Sequence, residues 1–202
     1  MPLSWGEKTV DRMYTPQEKQ LLLRLARETL QRITNGQEPP AVDLATLPPA
    51  LAEERACFVT LRQRGNARLR GCTGTLLPRR SLAEEVVNMT VQTAFYDPRF
   101  PPVQPHEVSN LQIEISVLTP PQPLDFRDPD ELLRKLRPGV DGVTLRLGHR
   151  RATFLPQVWE SYPDPEEFLS LLSQKMGAAP DAWRDPRIQV ETYQAIVFEE
   201  ED

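Results

Sequence analysis

Cysteine and histidine are scarce in this chain. Its 202 residues include two of each: Cys57, Cys72, His106 and His149. Two cysteines in a chain of this length do not form a disulfide framework, and a reduced, cytoplasmic location fits that usage best. No Cys-x-x-Cys or His-x-x-x-His spacing is present, so the sequence predicts no metal site. Because glycine-rich phosphate-binding motifs are also missing, it predicts no nucleotide cofactor.

Long apolar runs and an excess of positive charge are missing too. No apolar stretch approaches the roughly 18 to 20 residues that a membrane-spanning helix needs. The first residues, 1–8, lack the apolar centre of a signal peptide. The formal net charge is −5, whereas nucleic-acid-binding domains are normally basic. The sequence therefore predicts no membrane partner and no nucleic-acid partner, and it suggests that Glu199–Asp202 is a solvated acidic tail.

The apolar content of 39% is enough for a substantial core. Capping boxes at Thr15 and Ser81 predict the starts of two helices. Alternating apolar residues and turn signals predict several strands joined by hairpins. The expected helices cover 15–34, 81–95, 128–136 and 164–176, and the expected strands cover 57–61, 68–77, 111–117, 143–147, 151–155 and 188–198. This pattern predicts an α+β protein with a mainly antiparallel sheet and packed helices.

Two short motifs occur twice in the same order. Thr-x-Leu-Pro ends at Pro78 and again at Pro156, and Asp-Pro-Arg occurs at 97–99 and 185–187. The hypothesis is an internal duplication with two related lobes, at about 15–125 and 126–202, within one domain of 1–202. In that register Cys72 corresponds to Arg150, so the thiol belongs to one lobe only.

The run Leu69–Thr75 is the strongest candidate for chemistry. Cys72 lies close to glycines on both sides, which predicts a tight bend that another molecule can approach. Arg70 is expected to supply positive charge that activates the thiol. The backbone N–H groups of Gly71, Thr73, Gly74 and Thr75 are expected to form an anion-binding nest.

Five motifs resemble those of the AMMECR1 family. They are Arg70–Thr75, Asp97–Pro102, Ile113–Leu118, Pro138–Val143 and Thr153–Trp159, in the order that they have in the family. The resemblance as a whole covers about residues 15 to 200. Thr73 departs from the apolar residue usual there. The resemblance implies a two-lobed α+β protein with a cleft near the cysteine, and microbial association with Memo-like and radical-SAM proteins. It implies no particular reaction.

Further candidates lie in these motifs. Asp97 is either a proton acceptor or a cap for local N–H groups. Glu114 is either a proton acceptor or an exposed residue of an alternating strand. Arg99 either binds an anion or pairs with Asp97. Gln157 and Trp159 follow a turn that the duplication would place beside the Cys72 turn, although Trp159 also suits core packing.

Two functions remain open from the sequence. In the first, the protein binds or transforms a small anionic molecule in a cleft at Cys72, with Cys72 as nucleophile and Arg70 as its activator. In the second, it is a non-catalytic adaptor or scaffold whose cleft accepts a protein partner. The sequence leaves open whether the protein is an enzyme.

Overall fold

The computed structural model describes residues 13–201. The N-terminal segment, for which no signal peptide was predicted, lies outside the described residues. Two compact units are present. Within the described range the first comprises 13–118 with 196–201, and the second comprises 119–195. This division differs from the expected lobes, because the end of the chain belongs to the first unit.

Eight strands and five α-helices are defined among the described residues. The strands are β1 (Cys57–Gln63), β2 (Leu69–Gly74), β3 (Leu111–Leu118), β4 (Gln122–Pro123), β5 (Gly142–Leu147), β6 (Arg150–Phe154), β7 (Gln189–Tyr193) and β8 (Ala195–Glu199). The helices are α1 (Pro16–Thr34), α2 (Pro49–Ala52), α3 (Leu82–Phe95), α4 (Pro129–Lys135) and α5 (Pro165–Lys175). Short 3₁₀ helices cover Leu44–Thr46, Pro105–Asn110, Pro156–Glu160 and Ala182–Arg184. The expected α+β class is confirmed.

The first unit packs α1 and α3 on a sheet of order β2-β1-β3-β8. Both predicted capping boxes form: the Thr15 and Ser81 side chains each accept the N–H of the glutamate three residues later. The helix-facing side of the sheet is apolar, and on β1 it contributes Cys57, Val59 and Leu61, all fully buried. Because strand side chains alternate, the residues between them lie on the opposite face of the sheet.

Glu200 departs from the expected solvated acidic tail, whereas Glu199 and Glu201 are exposed. The Glu200 carboxylate pairs with Arg27 and Arg64, and it accepts the backbone N–H of Ile113 at 3.0 Å. Its side chain is only 15% exposed. Glu200 therefore connects the C-terminus to α1 and β3.

The second unit has a sheet of order β4-β7-β5-β6 with α4 and α5. Its core contains Phe168, stacked on Trp159 with ring centroids 3.6 Å apart, and the buried Trp183. Inside the second sheet, β5 lies between β6 and β7 and is antiparallel to both.

The two units share a strand order. In the first, β1 lies between β2 and β3, antiparallel to both, as β5 lies between β6 and β7. A helix follows the hairpin in each case, α3 after β2 and α5 after β6. This order is what a duplication predicts, and the duplication itself stays a prediction that superposition of the two segments would test.

The last expected strand, 188–198, is wrong as a single element. It breaks at Gln194, whose N–H donates to Thr119 Oγ1 at 2.8 Å and whose carbonyl accepts the Thr119 N–H at 2.8 Å. The residues before it form β7 and those after it form β8, in different sheets. No described helix has the length and apolar character needed to cross a membrane.

Candidate functional site

The Cys72 segment is a strand and not a glycine bend. Residues Leu69–Gly74 form β2, and neither Gly71 nor Gly74 has a positive φ. These glycines are needed for close approach instead. A Cβ on Gly71 would lie 2.9 Å from the Thr93 carbonyl oxygen of α3, and one on Gly74 would lie 2.2 Å from the Phe58 ring.

The expected N–H nest is wrong for the same reason. The Cys72 N–H donates to Asp97, the Thr73 N–H to Thr93 Oγ1 and the Thr75 N–H to the Cys57 carbonyl. Gly71 and Gly74 lie opposite Leu61 and Phe58 in the ladder with β1. The N–H groups of Cys72, Thr73 and Thr75 are therefore already hydrogen-bonded and cannot converge on an anion.

A pair of side chains clamps the Cys72 peptide instead. Asp97 Oδ2 accepts the Cys72 N–H at 2.9 Å, and Arg99 Nη2 donates to the Cys72 carbonyl at 2.8 Å. Since β2 is the edge strand of its sheet, these contacts are the ones that a neighbouring strand would otherwise make. The Asp97–Arg99 pair thus takes the place of a strand partner and fixes the backbone that carries the thiol.

Asp97 is positioned as a structural carboxylate. It is 3% exposed and accepts four hydrogen bonds, one from the Cys72 N–H and three from Arg99. The Arg99 guanidinium, followed by the backbone N–H groups of Cys72 and Arg99, holds the pKa of Asp97 well below its usual range despite burial. So weak a base is poorly suited to accept a proton from the thiol, and the geometry favours the capping role among the two alternatives.

Arg99 presents a free edge beside the thiol. Its Nε and Nη2 contact Asp97 and the Cys72 carbonyl, while Nη1 makes no hydrogen bond within residues 13–201. The side chain is 53% exposed. Asp97 raises the pKa of Arg99, and the Cys72 side chain adds to that effect. The arrangement is an oriented cation with donors available to a ligand.

Arg70 is differently placed from what the sequence suggested. Its guanidinium is 8% exposed and forms a two-bond pair with Glu107, at 2.8 and 3.1 Å, and it donates to the Pro101 carbonyl. Hydrogen bonding to Arg70 lowers the pKa of Glu107. Arg99 donates to the Cys72 carbonyl and Arg70 does not, so Arg99 is the better placed cation for the thiol. The Phe100 ring lies near both guanidiniums, at 5.9 Å from Arg70 and 5.6 Å from Arg99.

The Cys72 side chain lies in a polar row that crosses three strands. Thr60 of β1 is directly opposite Cys72 and donates its hydroxyl to Sγ at 3.3 Å, and Glu114 of β3 is opposite Thr60. Two strand spacings separate Cys72 from Glu114, roughly 9 to 10 Å. Glu114 is 17% exposed and lies 3.6 Å from the Arg62 guanidinium. The thiol itself is partly exposed.

Thr73 on β2 and Thr75 just after it support the strand. Thr73 Oγ1 lies 2.7 Å from Thr93 Oγ1, and the Thr93 hydroxyl also contacts the Val59 carbonyl at 3.0 Å. The departure from an apolar residue at position 73 is thus matched by a buried hydroxyl on α3. Thr75 Oγ1 accepts the Leu77 N–H at 3.2 Å and shapes the turn after β2.

The other thiol and the histidines lie elsewhere. Cys57 is fully buried, and burial, with a smaller contribution from the Glu85 charge, raises its pKa strongly. His106 and His149 are exposed. Within residues 13–201, no three His, Cys, Asp or Glu side chains form a group that could hold a metal ion.

Gln157 and Trp159 belong to the second unit. Gln157 is exposed, whereas Trp159 is 2% exposed, stacks on Phe168 and donates its indole N–H to the Asp141 carbonyl at 2.7 Å. This favours the packing interpretation of Trp159. The cleft that was expected beside these residues stays a prediction.

Sequence reasoning missed Thr60 and Thr93, which contact Cys72 and Thr73. The signal for Thr60 was present, because the side chains of β1 alternate between two faces of the sheet, and Phe58, Thr60 and Arg62 share one of them. No comparable signal marks Thr93, since a helical threonine gives no indication of a strand partner 20 residues away in sequence.

Comparison with known proteins agrees with this arrangement. The family model described as AMMECR1 matches residues 23–198. The chain belongs to the AMMECR1 family. Among its relatives in the AMMECR1 comparison, a protein of Thermofilum pendens is 40% identical over 200 residues, covering 91% of this chain and 90% of the relative. A protein of Thermococcus gammatolerans is 41% identical over 189 residues, covering 90% of both chains.

A solved structure shares the AMMECR1 fold. The crystal structure of an uncharacterized protein from Pyrococcus horikoshii matches with a TM-score of 0.79 and 36% identity, covering 94% of each chain. Four of the motifs that carry the AMMECR1 resemblance have structural roles. Arg70–Thr75 forms much of β2, and Ile113–Leu118 lies in β3. Asp97–Pro102 contains the clamp, and Pro138–Val143 contains the carbonyl that accepts the Trp159 N–H.

Proposed function

We propose that the first unit binds a small anionic molecule at Cys72, with Arg99 as its anchor. The observation that carries the proposal is the clamp, because it fixes the Arg99 guanidinium on the Cys72 backbone through Nη2, while Nη1 takes no part in the contacts with Asp97 and the Cys72 carbonyl. A planar guanidinium held in this way loses little side-chain freedom when it binds a carboxylate or phosphate.

In this proposal the Cys72 thiol is the nucleophile. Its sulfur forms a bond to an electrophilic carbon of the bound anion, the bond to the leaving group breaks, and the leaving group departs with its electron pair. The thiol proton passes to water. The Thr60 hydroxyl stabilises the charged sulfur by donating to it. In this proposal Glu114, on the far side of the polar row, exchanges a proton with the ligand and not with the thiol.

A second candidate, an adaptor, is favoured by a different observation. Large apolar side chains are exposed in the segments that flank the site: Leu76 and Leu77 follow β2, at 38% and 47% exposure, and Tyr96 precedes the clamp at 66%. Exposed apolar residues next to a polar site suit a protein partner. The Memo-like and radical-SAM proteins implied by the family resemblance are the partners to test.

Protection of Cys72 from alkylation separates the two candidates. Acetate, pyruvate, phosphate and citrate are each added at constant ionic strength, and the iodoacetamide labelling rate of Cys72 is followed by peptide mass spectrometry. We expect at least one anion to slow labelling about threefold or more, and Arg99→Ala to remove that protection. If no anion protects, the anion site is wrong and the adaptor becomes the better account.

A further inference from the structure

The clamp motif occurs a second time, in the second unit, with the same internal geometry. In the first copy, Arg99 donates to Asp97 from N at 3.1 Å, from Nε at 2.9 Å and from Nη2 at 2.7 Å. In the second, Arg187 donates to Asp185 from the same three atoms at 2.9, 3.0 and 2.7 Å. We call each Asp–Arg pair a fork.

The two forks differ in what they bind. The Asp97–Arg99 fork holds the backbone N–H and carbonyl of one residue, Cys72, through Oδ2 and Nη2. The corresponding atoms of Asp185 and Arg187 contact only each other within residues 13–201. Arg187 is 80% exposed and Asp185 is 22% exposed, so the peptide-binding side of the second fork is open.

A groove lies beside the second fork. Its volume is about 570 Å³, within the 300 to 1,000 Å³ range of ligand sites. Asp185 lines it together with five apolar side chains: Leu124, Phe126, Trp183, Ile188 and Val190. The groove extends across β4, β7 and β5, to which Pro123, Glu191 and Arg146 of its lining belong.

The charges along the groove define the ligand. Two of its arginines are already paired, Arg127 with Glu131 and Arg184 with Glu166. Arg146 donates to the neutral Gln189 amide. Asp125 and Asp128 form no ion pair within the described part of the chain, although the Asp128 charge acts on Arg127. These two acids outnumber Arg146, the lining cation that pairs only with a neutral amide, so the groove complements basic side chains.

We propose that the second fork and its groove bind an extended peptide segment of a partner protein that alternates apolar and basic residues. One residue of the segment donates its backbone N–H to Asp185 and accepts a hydrogen bond from Arg187 at its carbonyl, as Cys72 does with the first fork. Apolar side chains enter the groove, and basic ones lie near Asp125 and Asp128. This proposal is independent of the function proposed for Cys72.

The test uses the full chain and the capped hexapeptide Ac-Lys-Val-Lys-Val-Lys-Val-NH2. Binding is followed by NMR through the Trp183 indole N–H, with the buried Trp159 indole as the internal reference. We expect a dissociation constant of about 1 mM or below, and a loss of about tenfold with Arg187→Ala. Arg150→Ala, at the opposite edge of the sheet, is the matched control and leaves binding unchanged.

Three altered peptides test which groups of the peptide are recognised. In an extended strand, alternate N–H groups point to the same edge. N-methylation of all valines or of all lysines therefore removes the donors of one edge, and at least one of these peptides should fail to bind. The acidic peptide with glutamate in place of lysine should bind at least about tenfold more weakly.

Four outcomes would contradict the proposal that the groove binds a peptide. Absence of a Trp183 shift at millimolar peptide, equal binding to Arg187→Ala, or equal binding of the acidic peptide each overturns the proposal. A Trp183 shift that depends on protein concentration without peptide, and disappears with Arg187→Ala, would assign the groove to a second copy and would also overturn it.

Discussion

Replacing Asp97 by alanine tests the clamp on the Cys72 backbone. The change leaves the Cys72 N–H without its acceptor, which costs about 1 to 3 kcal/mol for a group shielded from water. Loss of the ion pair adds up to about 1 kcal/mol, because Arg99 is 53% exposed and its charge is rehydrated. We therefore expect Asp97→Ala to lower the free energy of unfolding by about 1 to 4 kcal/mol.

Asp185→Ala is the matched control, since it removes the same carboxylate from the same three-residue turn. Asp185 holds no peptide group, so its loss should have a much smaller effect. Urea unfolding gives the two stabilities, and amide hydrogen exchange at Cys72 reports the clamp directly. Equal destabilisation by the two variants, or unchanged exchange at Cys72 in Asp97→Ala, would refute the clamp.

The clamp also has a pH dependence. The pKa of Asp97 in the folded protein lies below its usual range, so the unfolded chain binds the proton first as the pH falls. The stabilisation is complete above the unfolded pKa of about 3.9 and is lost progressively below it. Asp97→Ala should therefore be less sensitive to acid between neutral pH and pH 3 than the parent protein is.

Three further predictions follow from single contacts. Gly74→Ala should destabilise the protein by about 1 to 3 kcal/mol in urea unfolding, because the new Cβ would overlap the Phe58 ring. Glu200→Ala should cost about 1 to 3 kcal/mol by the same assay, since it leaves the Ile113 N–H without its acceptor and removes the ion-pair partner of Arg27. Burial raises the pKa of Tyr193 to about 12 from 10.0, so its stabilisation is complete below pH 10 and is lost as the pH rises through 12. The check is a pH titration of the tyrosine side chains, in which one group that titrates near pH 12 should disappear in Tyr193→Phe. Titration of Tyr193 near pH 10 would contradict this value.

Local signals in the sequence predicted local structure well. The capping boxes at Thr15 and Ser81 depend on residues three positions apart, and both form. The alternation of β1 and β3 likewise defines which side chains share a face. These features need no knowledge of distant partners.

The clamp could not be predicted in the same way. The Asp-Pro-Arg motif is a local turn in both units, and only the tertiary structure shows that one copy reaches a peptide group 25 residues away in sequence. Gln194 is a similar case, because the strand pattern continues through it and its contacts with Thr119 interrupt the sheet. The prediction of a bend at Gly71 and Gly74 was wrong, because a glycine required for close packing and one required for a positive φ look the same in a sequence.

The most direct test of the account compares iodoacetate with iodoacetamide at Cys72. Both release iodide as the sulfur bonds to carbon, but only iodoacetate carries a negative charge, so the ratio of the two rates reports attraction by Arg99. We predict that the ratio of the iodoacetate rate to the iodoacetamide rate is about threefold or more higher at Cys72 than for a small neutral thiol. Arg99→Ala should abolish this increase. Arg32→Ala, which removes an exposed arginine on α1, should retain it. Cys57, which is fully buried, should stay unlabelled in the folded protein. A ratio equal to that of the free thiol, or one unchanged by Arg99→Ala, would contradict the proposal that Cys72 and Arg99 form an anion-binding site.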